Sequence, residues 1–312
     1  MRAVIQVVLP VFGIMLAGYL AGRFRVLGPA SSEALNRFVY FVALPALFFV
    51  SLSRTPVSEA LNGPFLIAFG GGLLAAFALA VVVGHRLFPN RLAAIGLQGL
   101  SANFSNTGYL GVPLLLIVFG EAGKLPGIVG TVIMGAVVMA IGIAIVEVDL
   151  NRGGHPLRVL RQVATAVLRS PLVLSAAAGL TASFVGWPLP GPLATFCDIL
   201  GAAAAPCALF AIGLFLVGRA PHTGIGEVAW VVSIKLLVQP LVTWWLAYRV
   251  LEMEPVWAAA AVIQGALPTG ALVFVLSQQY GIYVQRATAA IMVSTLLSVV
   301  TLSLLLVWLG VY

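Results

Sequence analysis

The chain has 312 residues, of which 62% are apolar and only 8% charged, with a formal net charge of +7. An ordinary soluble domain carries roughly 25% charged residues, so a water-facing surface for a fold of this size is excluded and a lipid bilayer becomes the natural solvent. The arginines are scattered between apolar runs rather than clustered, which argues against nucleic acid as a partner.

Apolar runs lie at 3–22, 35–52, 64–84, 92–119, 125–147, 164–185, 194–217, 227–249, 256–279 and 287–310. A helix needs about 20 apolar residues to cross the hydrocarbon, and a helix satisfies its own backbone groups there. Runs such as Ala75 to Val83 do not alternate, which excludes the strand pattern of a membrane barrel. The expected fold is therefore all-α and integral to the membrane, with ten transmembrane helices. The first run is long, lacks a convincing cleavage site and is followed by Arg23 and Arg25, so it reads as a helix and not as a cleaved leader. Gly70-Gly71-Gly72 in the third run lacks the Lys-Ser/Thr of a phosphate loop, and close helix packing is the expected role. Cys197 and Cys207 share the seventh run and read as small core residues. His85, His155 and His222 fall in loops and form no ligand set, so no metal and no cofactor is expected.

The basic residues orient the helices. Arg2, Arg54, Lys124 and Arg249 fall on the side of the N-terminus; Arg23, Arg25, Arg37, Arg86, Arg91, Arg152, Arg158, Arg161, Arg169, Arg219 and Arg286 fall on the other. Positive loops stay in the cytoplasm, which puts both termini outside it. Trp187, Trp244, Trp245, Trp257 and Trp308 lie near the outer ends of runs, where interfacial tryptophans belong.

The chain echoes itself at a near-constant offset of about 160 positions. Pro45-Ala46-Leu47-Phe48 matches Pro206 to Phe210, Gln98-Gly99 with Thr107-Gly108 matches Gln264-Gly265 with Thr269-Gly270, and Phe119-Gly120 matches Tyr280-Gly281. Two units follow: residues 1–150 with five helices, a cytoplasmic connection at 151–163, and residues 164–312 with five more. An odd number per unit turns the second upside down, giving a 5+5 inverted repeat, a plan shared by many secondary transporters.

The most polar stretches inside apolar runs are Gln98 to Pro113 in the fourth and Gln264 to Gly270 in the ninth. Pro268 lacks a donor and disfavours helix at Leu267, while Asn103, Ser105, Asn106 and Thr107 compete for backbone groups. Paired breaks in corresponding positions point to a transport site. New helix N-termini are expected near Asn106 to Gly108 and near Thr269 to Gly270. Facing one another at the midplane, they suit a carboxylate. Asn103, Ser105, Asn106, Thr107, Gly108, Gln264, Pro268, Thr269 and Gly270 are the candidate substrate-binding residues. The bland alternative is that they cap kinks and glue helices. Lys235 is the one basic residue well inside a run; it either helps hold the anion or snorkels to the surface. The acidic residues, including Glu147 and Glu227, are placed in loops or at run ends. Asp198 comes nearest to membrane depth, as a dipole-favoured acid or a site for a coupling proton or sodium.

With these residues in view, the chain resembles the auxin efflux carrier family, which includes plant PIN-type carriers and bacterial carriers of malonate-like acids. The similarity rests on Asn106-Thr107-Gly108-Tyr109-Leu110-Gly111-Val112-Pro113, on Ala266-Leu267-Pro268-Thr269-Gly270 with Phe274-Val275 and Tyr280, and on Asp198 to Phe210. The resemblance implies that helices 4 and 9 cross at their breaks, with Asn106 and Pro268 at the crossing. It also implies a scaffold of helices 1, 2, 6 and 7, a mobile unit of helices 3–5 and 8–10, elevator-type alternating access and a homodimer. Ser105 departs from the pattern, since plant carriers commonly have proline there, and the missing long cytoplasmic loop suits a bacterial member in the plasma membrane. The function so implied is secondary transport of a small organic anion. A rival on the same plan is a sodium- or proton-coupled symporter or antiporter, which normally needs acids at the breaks. A membrane-embedded enzyme needs clustered His, Asp or Glu or an activated nucleophile, and none is evident. A membrane sensor is the remaining class.

Overall fold

The computed structural model describes residues 2–150, 156–217 and 224–310. Arg152, His155, Arg219 and His222, four of the residues used above, lie outside them. The described chain is helical throughout, with one isolated antiparallel β-bridge between Ser105 and Thr269.

The N-terminal part runs α1 (Arg2–Arg23), α2 (Pro29–Phe38), α3 (Leu44–Ser53), a short α4 (Val57–Ala60) and α5 (Gly63–Leu87). It continues through α6 (Leu92–Asn103), α7 (Val112–Phe119), α8 (Glu121–Ile133) and α9 (Met139–Leu150). After the undescribed residues come α10 (Pro156–Leu168), α11 (Pro171–Val185), α12 (Gly191–Ala202), α13 (Ala204–Phe215), α14 (Ile225–Ser233) and α15 (Gln239–Trp245). The last three are α16 (Pro255–Ala266), α17 (Leu272–Tyr280) and α18 (Val284–Leu309). Six segments are long and apolar enough to cross a bilayer: Ala30–Ser53, Val57–Leu87, Glu121–Leu150, Gly191–Phe215, Ile225–Val250 and Val284–Leu309. The outer surface is correspondingly apolar, with Phe184 at 81% and Ile199 at 68% exposure. No aqueous surface carries such side chains in these numbers; the protein is a multi-pass membrane protein.

Local chemistry explains where the helices begin and bend. Asn62 caps α5 by accepting the Phe65 amide at 2.9 Å, and Glu254 caps α16 by accepting the amides of Val256 and Trp257. Both caps are followed by a proline in the first turn, where its missing N–H costs nothing. Of the five wide, π-type turns among the described residues, three, at Val39–Ala43, Thr107–Gly111 and Ile234–Val238, lie two residues ahead of a proline: Pro45, Pro113 and Pro240. A proline inside a helix has no amide to donate and its ring crowds the carbonyl four residues back, so the preceding turn widens.

Glycines set how closely the helices approach. A Cβ on Gly18 of α1 would lie 2.2 Å from the Phe210 carbonyl oxygen of α13, and one on Gly213 would lie 1.9 Å from that of Met15. Small residues let two backbones meet in this way, which is the usual means of helix packing in lipid. Gly179 similarly seats α11 against the Phe49 backbone of α3. In the triple glycine of α5, Gly71 faces Leu246 and Gly72 faces Thr243, so these two serve close packing, whereas Gly70 faces open space.

One expectation needs correction and another needs an addition. Residues 156–163, read as connection, form the first part of helix α10, whose apolar and polar residues separate onto two faces. Glu147 and Glu227, placed at run ends, do lie near the end of α9 and in the first turn of α14, but both are buried rather than exposed. Tyr280 donates its hydroxyl to Glu147 at 2.7 Å, and Arg286 pairs with Glu227 at 2.8 Å, which makes burial of the carboxylates tolerable.

Candidate functional site

Two interrupted helices meet inside the protein. α6 stops at Asn103, Phe104 and Ser105 run extended, and after a turn at Asn106 a new helical segment starts at Thr107. α16 stops at Ala266, and α17 starts at Leu272. The two extended stretches pair with each other: the Asn106 amide donates to the Pro268 carbonyl at 2.9 Å, and the Gly270 amide donates to the Phe104 carbonyl at 2.8 Å. Backbone that leaves its helix at membrane depth must find partners elsewhere in the protein, and each break supplies them to the other. Asn106 sits at φ −77° and ψ 56°, an inverse γ-turn closed by the Thr107 amide on the Ser105 carbonyl at 2.8 Å. This sharp turn aims the next helical segment away from α6. Gly270 is required by space, since a Cβ there would lie 2.9 Å from the Phe104 ring.

A cavity of about 1140 Å³ opens on one side of this seam. Ser105, Asn106, Thr107 and Gly108 line it from the first break, and Gly270, Ala271 and Leu272 from the second. The first amides of a helical segment have no acceptor within their own helix. Two such N-termini therefore present donors and partial positive charge to one space. Thr131 of α8 and Gln278 of α17 add polar groups, and Phe215 packs edge-on against Phe274 along one wall, with ring centroids 6.1 Å apart. Arg25, Ser32, Asn36 and the 74%-exposed Arg37 line it towards its exposed side. Tyr109 closes the near wall by donating to the Asn36 carbonyl at 3.2 Å.

The residues singled out in the sequence divide about this seam. Ser105, Asn106, Thr107, Gly108 and Gly270 line the cavity; Asn103, Gln264, Pro268, Thr269, Lys235 and Asp198 do not. Asn103 donates to the Leu73 carbonyl at 3.3 Å, and Gln264 donates to the Pro126 carbonyl at 2.9 Å. Thr269 is fully buried: its hydroxyl donates to the Ser101 carbonyl at 2.7 Å and its amide to the Ser294 hydroxyl at 3.0 Å. Lys235, also fully buried, donates to the Gly265 carbonyl at 2.7 Å. Its amine is thus neither at the surface nor in the cavity. Asp198 forms a two-pronged pair with Arg54, at 3.0 and 3.3 Å, on an exposed stretch of α12. The second N-terminus begins at Leu272, two residues beyond the expected Thr269–Gly270, because those residues are held extended by the pairing with Phe104.

Arg25, Asn36, Arg37, Thr131 and Gln278 were not anticipated as cavity residues. Arg25 and Arg37 carry a sequence signal, but it reads equally well as membrane orientation. The others have none, since only tertiary packing brings α2, α8 and α17 to the breaks.

The sequence comparisons agree with this geometry. A family model described as "Membrane transport protein" matches residues 3–306. A "Putative malonate transporter" of Rhizobium meliloti is 35% identical over 310 residues, covering 98% of this chain and 96% of that protein. An "Uncharacterized transporter" of Methanothermobacter thermautotrophicus is 29% identical, with 96% of each chain covered. The "Uncharacterized transporter YfdV" of Escherichia coli K12 is 26% identical, covering 94% of this chain and 93% of its own. A helical membrane protein with two paired helix breaks over a cavity, matched end to end by this family, belongs to the membrane transport proteins of the auxin efflux carrier type.

Proposed function

We propose that this protein is a secondary carrier of a small carboxylate, of malonate size and charge, working by elevator-type alternating access. One observation carries the reading: two half-helix N-termini, at Thr107 and Leu272, open onto the same cavity. Each brings about half a positive charge, which is the electrostatics that holds carboxylates and phosphates at helix ends. Asn106 and Thr107 supply side-chain hydrogen bonds beside them, and Arg25 and Arg37 raise the anion concentration at the entrance. The name of the Rhizobium meliloti relative supports a malonate-like substrate.

The reading extends to architecture. Ten transmembrane helices are arranged as a 5+5 inverted repeat, with α6 and the segment from Thr107 as helix 4 and α16–α17 as helix 9, crossing at their breaks. The starts of α5, α6 and α8 and those of α14, α16 and α18 share one offset to within a residue, which supports the repeat. The glycine-mediated contacts of α1 with α13 and α3 with α11 support a scaffold of helices 1, 2, 6 and 7, against which the other six move. The reading includes a homodimer in the bacterial plasma membrane with both termini outside, and the cavity then faces the cytoplasm with Arg25 and Arg37.

An inside-negative potential drives an anion outward by about 2.3 kcal/mol per charge per 100 mV, so export needs no coupled ion. In proteoliposomes, malonate or indole-3-acetate flux is expected to follow an imposed voltage. A panel of carboxylic acids tested for binding against the wild type and Asn106→Ala identifies the substrate and tests the site. Flux that ignores voltage and requires sodium would overturn uncoupled transport, and unchanged affinity in Asn106→Ala would remove the site assignment.

A further inference from the structure

Helix α10 is held to the protein along one face and exposes another. At about 3.6 residues per turn, Val159, Gln162, Val163 and Val167 share the inner face, and all four are half-buried. Val163 packs onto the buried apolar cluster that includes Val146 of α9. The Gln162 amide nitrogen, in the orientation that satisfies both groups, donates to the buried Glu147 carboxylate at 2.6 and 3.2 Å. The same carboxylate receives the Tyr280 hydroxyl, so α10 is tied to α9 and α17 together. The outward face carries Leu157, Leu160, Ala164 and Leu168, all exposed.

The surroundings of this exposed face point to lipid. The spanning segment Glu121–Leu150 ends just before α10, and the apolar helix α11 starts just after it at Pro171, so α10 is held at one boundary of the bilayer. Its apolar exposure continues onto neighbouring helices, at Val148 and Leu150 of α9 and at Leu174 of α11. Arg161, Thr165 and Arg169 follow at four-residue spacing along the edge of the leucine face. The Arg169 amide still donates to the Thr165 carbonyl at 3.0 Å, so this edge is helical to its end, and both arginines are exposed. From Leu150 to Cys197 the sequence holds four arginines, Arg152, Arg158, Arg161 and Arg169, and no acidic residue. A leucine face with a basic edge is the pattern of a helix lying in the membrane interface, its apolar side in the acyl chains and its charges among anionic headgroups. A second copy docked through the same face would set arginine beside arginine, which opposes that occupant.

We propose that α10 is a binding surface for anionic phospholipid: Leu157, Leu160 and Leu168 enter the acyl region of the leaflet, and Arg161 and Arg169 bind the headgroup phosphates. Because Glu147 ties the inner face of α10 to α9 and α17, lipid held on the outward face steadies those helices as well, and the protein is more stable in an anionic bilayer than in a neutral one. The inference needs the membrane setting alone and stands whether or not the carrier reading holds.

The test compares melting in two lipids. The full chain is unfolded by heat in nanodiscs of phosphatidylcholine alone and of phosphatidylcholine mixed with phosphatidylglycerol. The wild type is expected to melt about 3 °C higher in the mixture, a gain that shrinks as salt is raised. The double variant Arg161→Gln with Arg169→Gln is expected to melt alike in both. Glycerol phosphate, which carries the charge without acyl chains, is expected to give no gain when added to the phosphatidylcholine discs. Depth is read separately: with Cys197 and Cys207 replaced by serine, a fluorophore on Leu160→Cys is expected to lose about half or more of its emission to chain-brominated lipid. The proposal is overturned if the wild type melts alike in the two lipids, if the double variant keeps the gain, or if glycerol phosphate reproduces it. It is overturned too if the fluorophore escapes quenching, which would mean that a second copy or another protein covers the leucines.

Discussion

Replacing Thr269 by valine isolates one atom of the seam. Valine keeps the shape of threonine and removes the hydroxyl that donates to the Ser101 carbonyl at 2.7 Å. The amide that serves this carbonyl in a continuous helix is that of Ser105, which lies beyond the end of α6 at Asn103. The variant therefore leaves a buried acceptor without a donor, at a cost of about 1–3 kcal/mol. For a chain of this size that corresponds to a fall of roughly 1.5–5 °C in melting temperature. Thermal unfolding of detergent-purified protein measures it, with Thr269→Ser as the matched control because serine keeps the donor. Ser101→Ala is a second control: that hydroxyl donates within its own helix, to the Leu97 carbonyl at 2.8 Å, and its loss should cost less than about 1 kcal/mol. Because the Thr269 hydroxyl does not line the cavity, malonate affinity should change by less than about three-fold. If Thr269→Val and Thr269→Ser melt within about 1 °C of each other, the account of the seam as a set of obligatory hydrogen bonds is wrong.

Further consequences follow from other contacts. Gly213→Ala pushes a methyl into the Met15 carbonyl and should cost about 2 kcal/mol or more by forcing α1 and α13 apart, whereas Gly28→Ala, with open space around it, should leave the melting temperature unchanged. Tyr280→Phe removes a donor from the buried Glu147 and should destabilise by roughly 1.5–3 kcal/mol. Asp198→Asn breaks a half-exposed pair with Arg54 and should cost less than about 1 kcal/mol, with malonate flux in proteoliposomes unchanged. Gly135 lines the cavity and has room for a side chain; Gly135→Cys should react with a water-soluble thiol reagent, and malonate should slow that reaction.

What the sequence reveals depends on how local the cause is. The breaks are legible because proline and clustered asparagines act on their own turn, and Pro268 with Asn103 to Thr107 mark both interruptions to within a few residues. The facing of side chains is not legible. Asn103 and Asn106 are three apart, which on a helix is one face, yet the extended stretch between them sends Asn103 towards Leu73 and Asn106 into the cavity. The start of α17 slips from Gly270 to Leu272 because pairing with Phe104, a residue 166 positions away, competes with helix formation. α10 reads as a connection because Arg158, Arg161 and Gln162 interrupt its apolar residues, whereas its two-faced pattern is that of a helix lying along a boundary.

The mutual pairing of the two breaks also constrains motion. Two short amide–carbonyl bonds in antiparallel register leave no slack for one half-helix to slide while its counterpart stays put. On the carrier reading proposed above, a cycle that moves both arms together keeps these two bonds, whereas sliding one arm alone breaks both. Under that proposal the grip on the cargo stays constant throughout the journey, and release depends on which bath floods the chamber rather than on loosening the grip.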